Sequence, residues 1–118
     1  MKILFIINDA PYGTEKAYNA LRMAMALLKE HAKEVEVRIF LMADAVTCAL
    51  PDQNTPQGYY NIERMLTYVL THGGLVKACG SCAEARGIKN LKLVDGVEIS
   101  TMSQLCTWTT EADKVISF

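Results

Sequence analysis

From Ile3 to Ile7 every position is apolar, and the run ends at Asn8-Asp9-Ala10-Pro11. A short unbroken apolar run closed by turn-forming residues marks a strand buried on both faces, so Lys2–Ile7 is expected to be a central strand feeding a loop. Beyond Gly13, with Thr14 as the expected cap, the spacing changes. Ala17, Leu21, Ala24, Met25 and Leu28 recur three and four residues apart, which predicts an amphipathic helix running to about His31. Val35, Val37, Ile39 and Leu41 then alternate with Glu36, Arg38 and Phe40, the period of a second strand. Strand, helix and strand in this order imply a right-handed parallel crossover.

The next segment, Ala43–Gly58, is rich in Pro, Asp, Asn, Gln and Thr around Pro51–Gly58 and reads as a long loop bordering the site. Asn61 is placed to cap a helix carrying Ile62, Met65, Leu66, Val69 and Leu70, which stops at His72-Gly73-Gly74. Leu75–Ala78 is a third strand, and Cys79-Gly80-Ser81-Cys82 opens a short helix ending at Arg86-Gly87. Across Leu91–Ile99 the alternation is interrupted by the turn Asp95-Gly96, giving loop with room for one short strand. Ser100, Met102, Leu105, Cys106 and Thr109 suggest a further helix, and Val115–Phe118 a terminal strand. The predicted class is α/β: a parallel or mostly parallel sheet of about five strands with helices on both faces. The loops after Ile7, Leu41 and Ala78 should meet at the carboxyl ends of the strands, where such sheets bind ligands.

Composition narrows the function. The 118 residues suit one domain spanning 1–118, and a hydrophobic content of 51%, a charged content of 21% and a net charge of -1 are those of a globular protein. With no Lys/Arg block to neutralise phosphates, nucleic acid is not an expected partner. The N-terminal apolar run is too short for a signal-peptide core or a membrane span, so a cytoplasmic location with no membrane partner is expected. Cys48, Cys79, Cys82 and Cys106 occur in a chain large enough to fold without disulfides, and are expected as thiols.

Cys79 carries the strongest chemical signal. At a strand-to-helix turn its sulfur would face unpaired backbone N–H groups, which favour thiolate over thiol. Gly80 leaves open space beside it, and Lys77 and Arg86 are near enough in sequence to add positive charge. Cys82, one helical turn on, could resolve an oxidised or persulfidated Cys79, or simply pack in the core. Asn8, Asp9, Gly80 and Ser81 are the candidate binding positions, although for Asn8 and Asp9 the role of capping the following turn is the favoured one. Cys48 and Cys106 read as packing residues, Tyr12, Tyr59 and Tyr60 as half-buried aromatics rimming a pocket or interface, and His31 and His72 as helix-closing residues. One CxxC pair falls short of the four soft ligands of a structural zinc site, so no metal is expected. Asn8-Asp9-Ala10-Pro11-Tyr12-Gly13 lacks the glycine-rich phosphate turn of a flavin or dinucleotide site.

Several of these segments together resemble the DsrE/DsrF/TusD family of sulfur-relay proteins, and most closely its small YchN-like members. They are Asn8-Asp9-Ala10-Pro11 with Ala17–Arg22, Ala43-Asp44-Ala45-Val46, Gly58–Leu66, Val76–Gly87 and Ala112–Ile116, with Cys79–Gly87 the most specific block. The resemblance implies a DsrE-like fold and a sulfur carrier, in which the cysteine eight residues before Gly87 accepts a persulfide sulfur and hands it on. It also implies sulfur-donor and sulfur-acceptor proteins as partners, no cofactor, and assembly as a homotrimer or homohexamer. Cys82 is not a general feature of TusD-type sites, which leaves thiol-disulfide exchange by Cys79 and Cys82 as the alternative. Against thioredoxin-like chemistry, Ala78 stands where that family has a Trp, and no proline follows Pro56. A non-catalytic oligomeric binding protein is the third reading.

Overall fold

A strand with no polar face needs cover on both sides, and β2 shows how that demand organises the chain. In the computed structural model, which describes residues 1–118, β1 (Lys2–Ile7) is followed by α1 (Lys16–Glu30), β2 (Glu36–Leu41) and a 3-10 segment, Ala43–Ala49. Then come α2 (Ile62–Thr71), β3 (Leu75–Cys79), α3 (Gly80–Ala85), β4 (Glu98–Ser100), α4 (Met102–Glu111) and β5 (Lys114–Ser117). The strands form one five-stranded sheet in the order β4-β3-β2-β1-β5, with every neighbouring pair parallel. β2 therefore lies at the centre.

The alternation expected along β2 does not become an alternation of burial. Val37, Ile39, Phe40 and Leu41 are fully buried, and Arg38 keeps only 7% of its exposure. α4 covers the face carrying Arg38 and Phe40: Trp108 meets Phe40 edge-on at 6.1 Å, and Arg38 and Lys77 lie over the same indole at 5.3 and 5.1 Å. α1 and α2 pack on each other, α1 against β1 and β2 and α2 against β3. A buried guanidinium is costly unless paired; Arg38 is paired with Glu36 and Glu111.

Local signals account for most boundaries. Asn61 accepts the amide of Arg64 at 3.0 Å and so caps α2, and Gly87, at a φ of +70°, closes the turn after α3 in the left-handed region that glycine favours. Gly74 is required by space, since a Cβ there would stand 2.4 Å from Val69 Cγ1.

Four expectations need correction. The N-cap of α1 is Glu15; Thr14 instead accepts the Lys16 amide at 3.4 Å and donates to Asp9 Oδ2 at 3.0 Å. The expected loop over Ala43–Gly58 begins as a 3-10 helix with Ala45, Val46, Cys48 and Ala49 buried, because its first residues are small and apolar enough to pack as a turn of helix. Thr101, accepting the Gln104 amide at 3.2 Å, caps α4, while Ser100 ends β4. Cys106 is exposed on α4, whose buried stripe is Leu105 and Trp108, so it is not a packing residue. Cys48, by contrast, is buried in the core. No helix is long and apolar enough to cross a membrane.

Candidate functional site

Cys79 ends β3, where its backbone pairs with Ser100 of β4. Its φ of -61° and ψ of 119° keep it extended, and the following residues turn directly into α3, so its side chain becomes the N-cap of that helix. The sulfur accepts the Cys82 amide at 3.4 Å and lies 3.3 Å from Ser81 Oγ. Burial raises the cost of ionising Cys79, but hydrogen bonds from the Cys82 thiol, the Ser81 hydroxyl and the amides of both residues outweigh it. The thiol pKa falls below its ordinary value. Cys82 moves the other way: burial and the hydrogen bond to Cys79 raise its pKa, against smaller opposing effects of the Ala43 amide and Arg86. The two thiols are thereby differentiated, ionisation being favoured at Cys79 and disfavoured at Cys82.

Cys79 is 4% exposed, and that remnant opens on a cavity of about 360 Å³ lined by Gly80, Ser81, Glu84, Lys89, Ile99, Ser100, Thr101 and Met102. Gly80 keeps this space clear. A Cβ at that position would lie 3.0 Å from the Ser100 carbonyl and 3.2 Å from Ile99 Cγ2, so β4 would have to give by a few tenths of an ångström.

Of the residues singled out from the sequence, Cys79, Gly80 and Ser81 come together in the cavity and Cys82 supports them from below. Asn8 and Asp9 do not join them. The Asn8 side chain donates to Ser117 Oγ and the Phe118 carbonyl at 3.3 and 3.1 Å, and Phe118 stacks on Phe5 at 6.1 Å. Asp9 is held by Thr14. The crevice between β1 and β5 is thus occupied by the chain itself, and both residues serve as turn and tie. Of the loops expected to meet, those after Ile7 and Leu41 touch through Cys48 and the Asp9 carbonyl, at 3.8 Å. Those after Leu41 and β3 are joined by Arg86 and Asp44, at 2.9 Å.

The cations expected near Cys79 are committed elsewhere. Lys77 lies over Trp108 and faces Glu98 at 3.7 Å, and Arg86 also donates to the Cys82 carbonyl at 3.0 Å. The cavity's own ionic groups, Glu84 and Lys89, were not evident from the sequence, nor were Ser100, Thr101 and Met102. Only the register of β4 against β3 brings that last group to the sulfur, and the three-residue strand β4 has almost no local signal.

Comparison with known proteins bears on this arrangement. The family model described as DsrE/DsrF-like matches residues 1–118. The chain belongs to the DsrE/DsrF-like family. It is 46% identical to protein YchN of Escherichia coli, over 99% of this chain and 98% of that one. It is also 41% identical to an uncharacterised protein of Methanocaldococcus jannaschii over the whole of both. The crystal structure of the Escherichia coli YchN protein superposes with a TM-score of 0.93, covering 99% of this chain and 98% of the other. A protein of unknown function from Methanobacterium thermoautotrophicum, 17% identical, superposes with a TM-score of 0.76 over 99% and 98% of the two chains and shares the fold. The parallel α/β architecture and the resemblance read from the sequence both hold.

Proposed function

We propose that this DsrE-like protein is a sulfur carrier that takes up a persulfide sulfur on Cys79 and passes it to a partner protein. The observation that carries the reading is the sulfur of Cys79, a buried thiol held by the Cys82 amide and Ser81 at the end of β3 and facing a cavity. Membership of a family linked to sulfur relay supports it.

The chemistry uses this chain's own groups. The Cys79 thiolate attacks the outer sulfur of a donor persulfide; a bond forms between Sγ and that sulfur while the donor's S–S bond breaks, and the electron pair leaves on the donor's inner sulfur. A thiolate of the acceptor protein then attacks the outer sulfur of Cys79–S–SH and releases the Cys79 thiolate. No net oxidation occurs and no cofactor enters. Assembly as a homotrimer or homohexamer in the cytoplasm belongs to the same proposal.

The test is to incubate the reduced protein with inorganic polysulfide and weigh each cysteine-bearing peptide. One added sulfur on the Cys79 peptide, absent in Cys79→Ser, is the expected result; inert thiols would overturn it. The Cys79–Cys82 spacing, which brings the Cys82 amide to 3.4 Å from the Cys79 sulfur, favours one competing reading, dithiol-disulfide exchange. Rapid formation of a Cys79–Cys82 disulfide without sulfur uptake would establish that chemistry instead.

A further inference from the structure

The donors that hold Cys79 all address Sγ. In a loaded carrier the transferable sulfur lies about 2 Å farther out, one S–S bond beyond Sγ, and it carries the charge once the persulfide ionises. That charge falls inside the cavity, where Lys89 is the one cationic side chain and Glu84 the one anionic side chain on the lining.

Their geometry suits this position. Lys89 Cε would stand 4.0 Å from a methyl placed on Gly80, so the lysine stem passes the residue next to Cys79. Its Nζ lies 3.6 Å from Glu84 Oε2, and the two side chains keep 45% and 72% of their exposure. The pair is consistent with a weak, solvent-screened contact that can rearrange at little cost. Both residues also line a second hollow of about 260 Å³ with Gly87 and Asn90, so they stand at the boundary between the sulfur cavity and open polar surface.

We propose that Lys89 is a positioning residue that holds the outer sulfur of persulfidated Cys79 as an anion, with Glu84 opposing it. The inference rests on the sulfur-carrier reading. Loading forms the bond from Sγ to the donor's outer sulfur and breaks the donor's S–S bond. The proton on the transferred sulfur passes to the departing donor thiolate, leaving Cys79–S–S⁻ opposite the ammonium. Held in this form the sulfur is stored, because an acceptor thiolate attacks a neutral outer sulfur more readily than an anionic one. Release then requires Lys89 to turn away from the sulfur and the outer sulfur to regain a proton.

The experiment loads wild type, Lys89→Gln, Lys89→Arg and Glu84→Gln with inorganic polysulfide. It then measures the alkylation rate of the Cys79 persulfide by peptide mass between about pH 4 and pH 9, with thermal unfolding checked for each variant. Lys89→Gln should raise the midpoint by about 0.5 to 1 unit, a charge effect reduced by partial exposure. Lys89→Arg should restore the midpoint, and Glu84→Gln should lower it. Loading of wild type with identical midpoints in all four proteins would overturn the role of Lys89 and leave the carrier intact. Failure of wild type to load at all would overturn both.

Discussion

At the scale of single residues, Cys79 is a buried sulfur whose ionisation is opposed by its burial and favoured by several donors. Cys82→Ala removes a thiol that lowers the Cys79 pKa but leaves the amide of residue 82 in place. The pH midpoint for alkylation of Cys79 should therefore rise while remaining below that of a free cysteine; an unchanged or lower midpoint would show that the Cys82 thiol has no part in holding the charge. Gly80→Ala tests the space instead of the charge. The added methyl needs β4 to give by a few tenths of an ångström at the Ser100 carbonyl and Ile99. A stability loss of about 1 kcal/mol and slower alkylation of Cys79 are expected, measured by urea unfolding and by labelling rate. That Cys79, Gly80 and Ser81 stand together was legible in the sequence, because a strand-to-helix turn and the N-cap it creates are local features. The placement of Lys89 on the same cavity was not, because α3 and the turn after it separate Lys89 from Cys79 and only the folded path of that turn brings it back.

At the scale of elements, caps and ion pairs decide where helices sit. Asn61 both accepts the Arg64 amide and donates to the Gln53 carbonyl at 2.9 Å, tying the start of α2 to the preceding loop. Asn61→Ala should cost about 1 to 2 kcal/mol in urea unfolding. α4 is fixed differently, by Glu111 pairing across to Arg38 of β2. The hydrogen bond from Arg38 holds the Glu111 carboxyl below the usual carboxylate range. A carboxylate whose folded pKa is depressed stabilises the fold above its unfolded pKa, about 4.3, and that contribution disappears as pH falls through the lower folded value. Wild type should therefore be more stable than Glu111→Gln at pH 7, with the difference shrinking as the solution is acidified below about pH 4. Equal acid sensitivity of the two proteins would mean the pair does not hold α4. Apart from β4 and the 3-10 segment, the helices and strands themselves were readable from the apolar pattern, and Asn61 from its residue type. The pairing of Arg38 with Glu111 was not, since the alternation along β2 gave Arg38 an outward-facing appearance that only the covering α4 reverses. The turn role of Asn8 and Asp9 was readable from their residue types, but the tie from Asn8 to Ser117 and Phe118 was not, because nothing near it in sequence signals that β5 returns beside β1.

At the scale of the whole molecule, 27 buried residues from every layer form one continuous core, including Cys48 under the 3-10 segment, Cys79 at the site and Trp108 under α4. Such a core should unfold as a unit, and the cysteines provide the means to test this. Cys106 is exposed and should label in the native protein, whereas Cys48 has no exposure and should label only through opening of the core. The free energy of opening obtained from Cys48 labelling should match that from the fluorescence of Trp108, the chain's single tryptophan. A smaller value at Cys48 would reveal that the 3-10 segment opens independently of α4. Burial also pushes the Cys48 thiol up to about 12. A thiol whose folded pKa is raised stabilises the fold fully below its unfolded pKa, about 8.5, and loses that contribution as pH rises toward the folded value, because the unfolded chain releases the proton first. Global stability should then decline above about pH 9 with a slope from Cys48 approaching ~1.4 kcal/mol per pH unit. In Cys48→Ala the protein should start less stable, through the cavity left behind, yet lose stability more slowly across the same range. Parallel alkaline decline in the two proteins would place the sensitivity in other groups and remove Cys48 as its source.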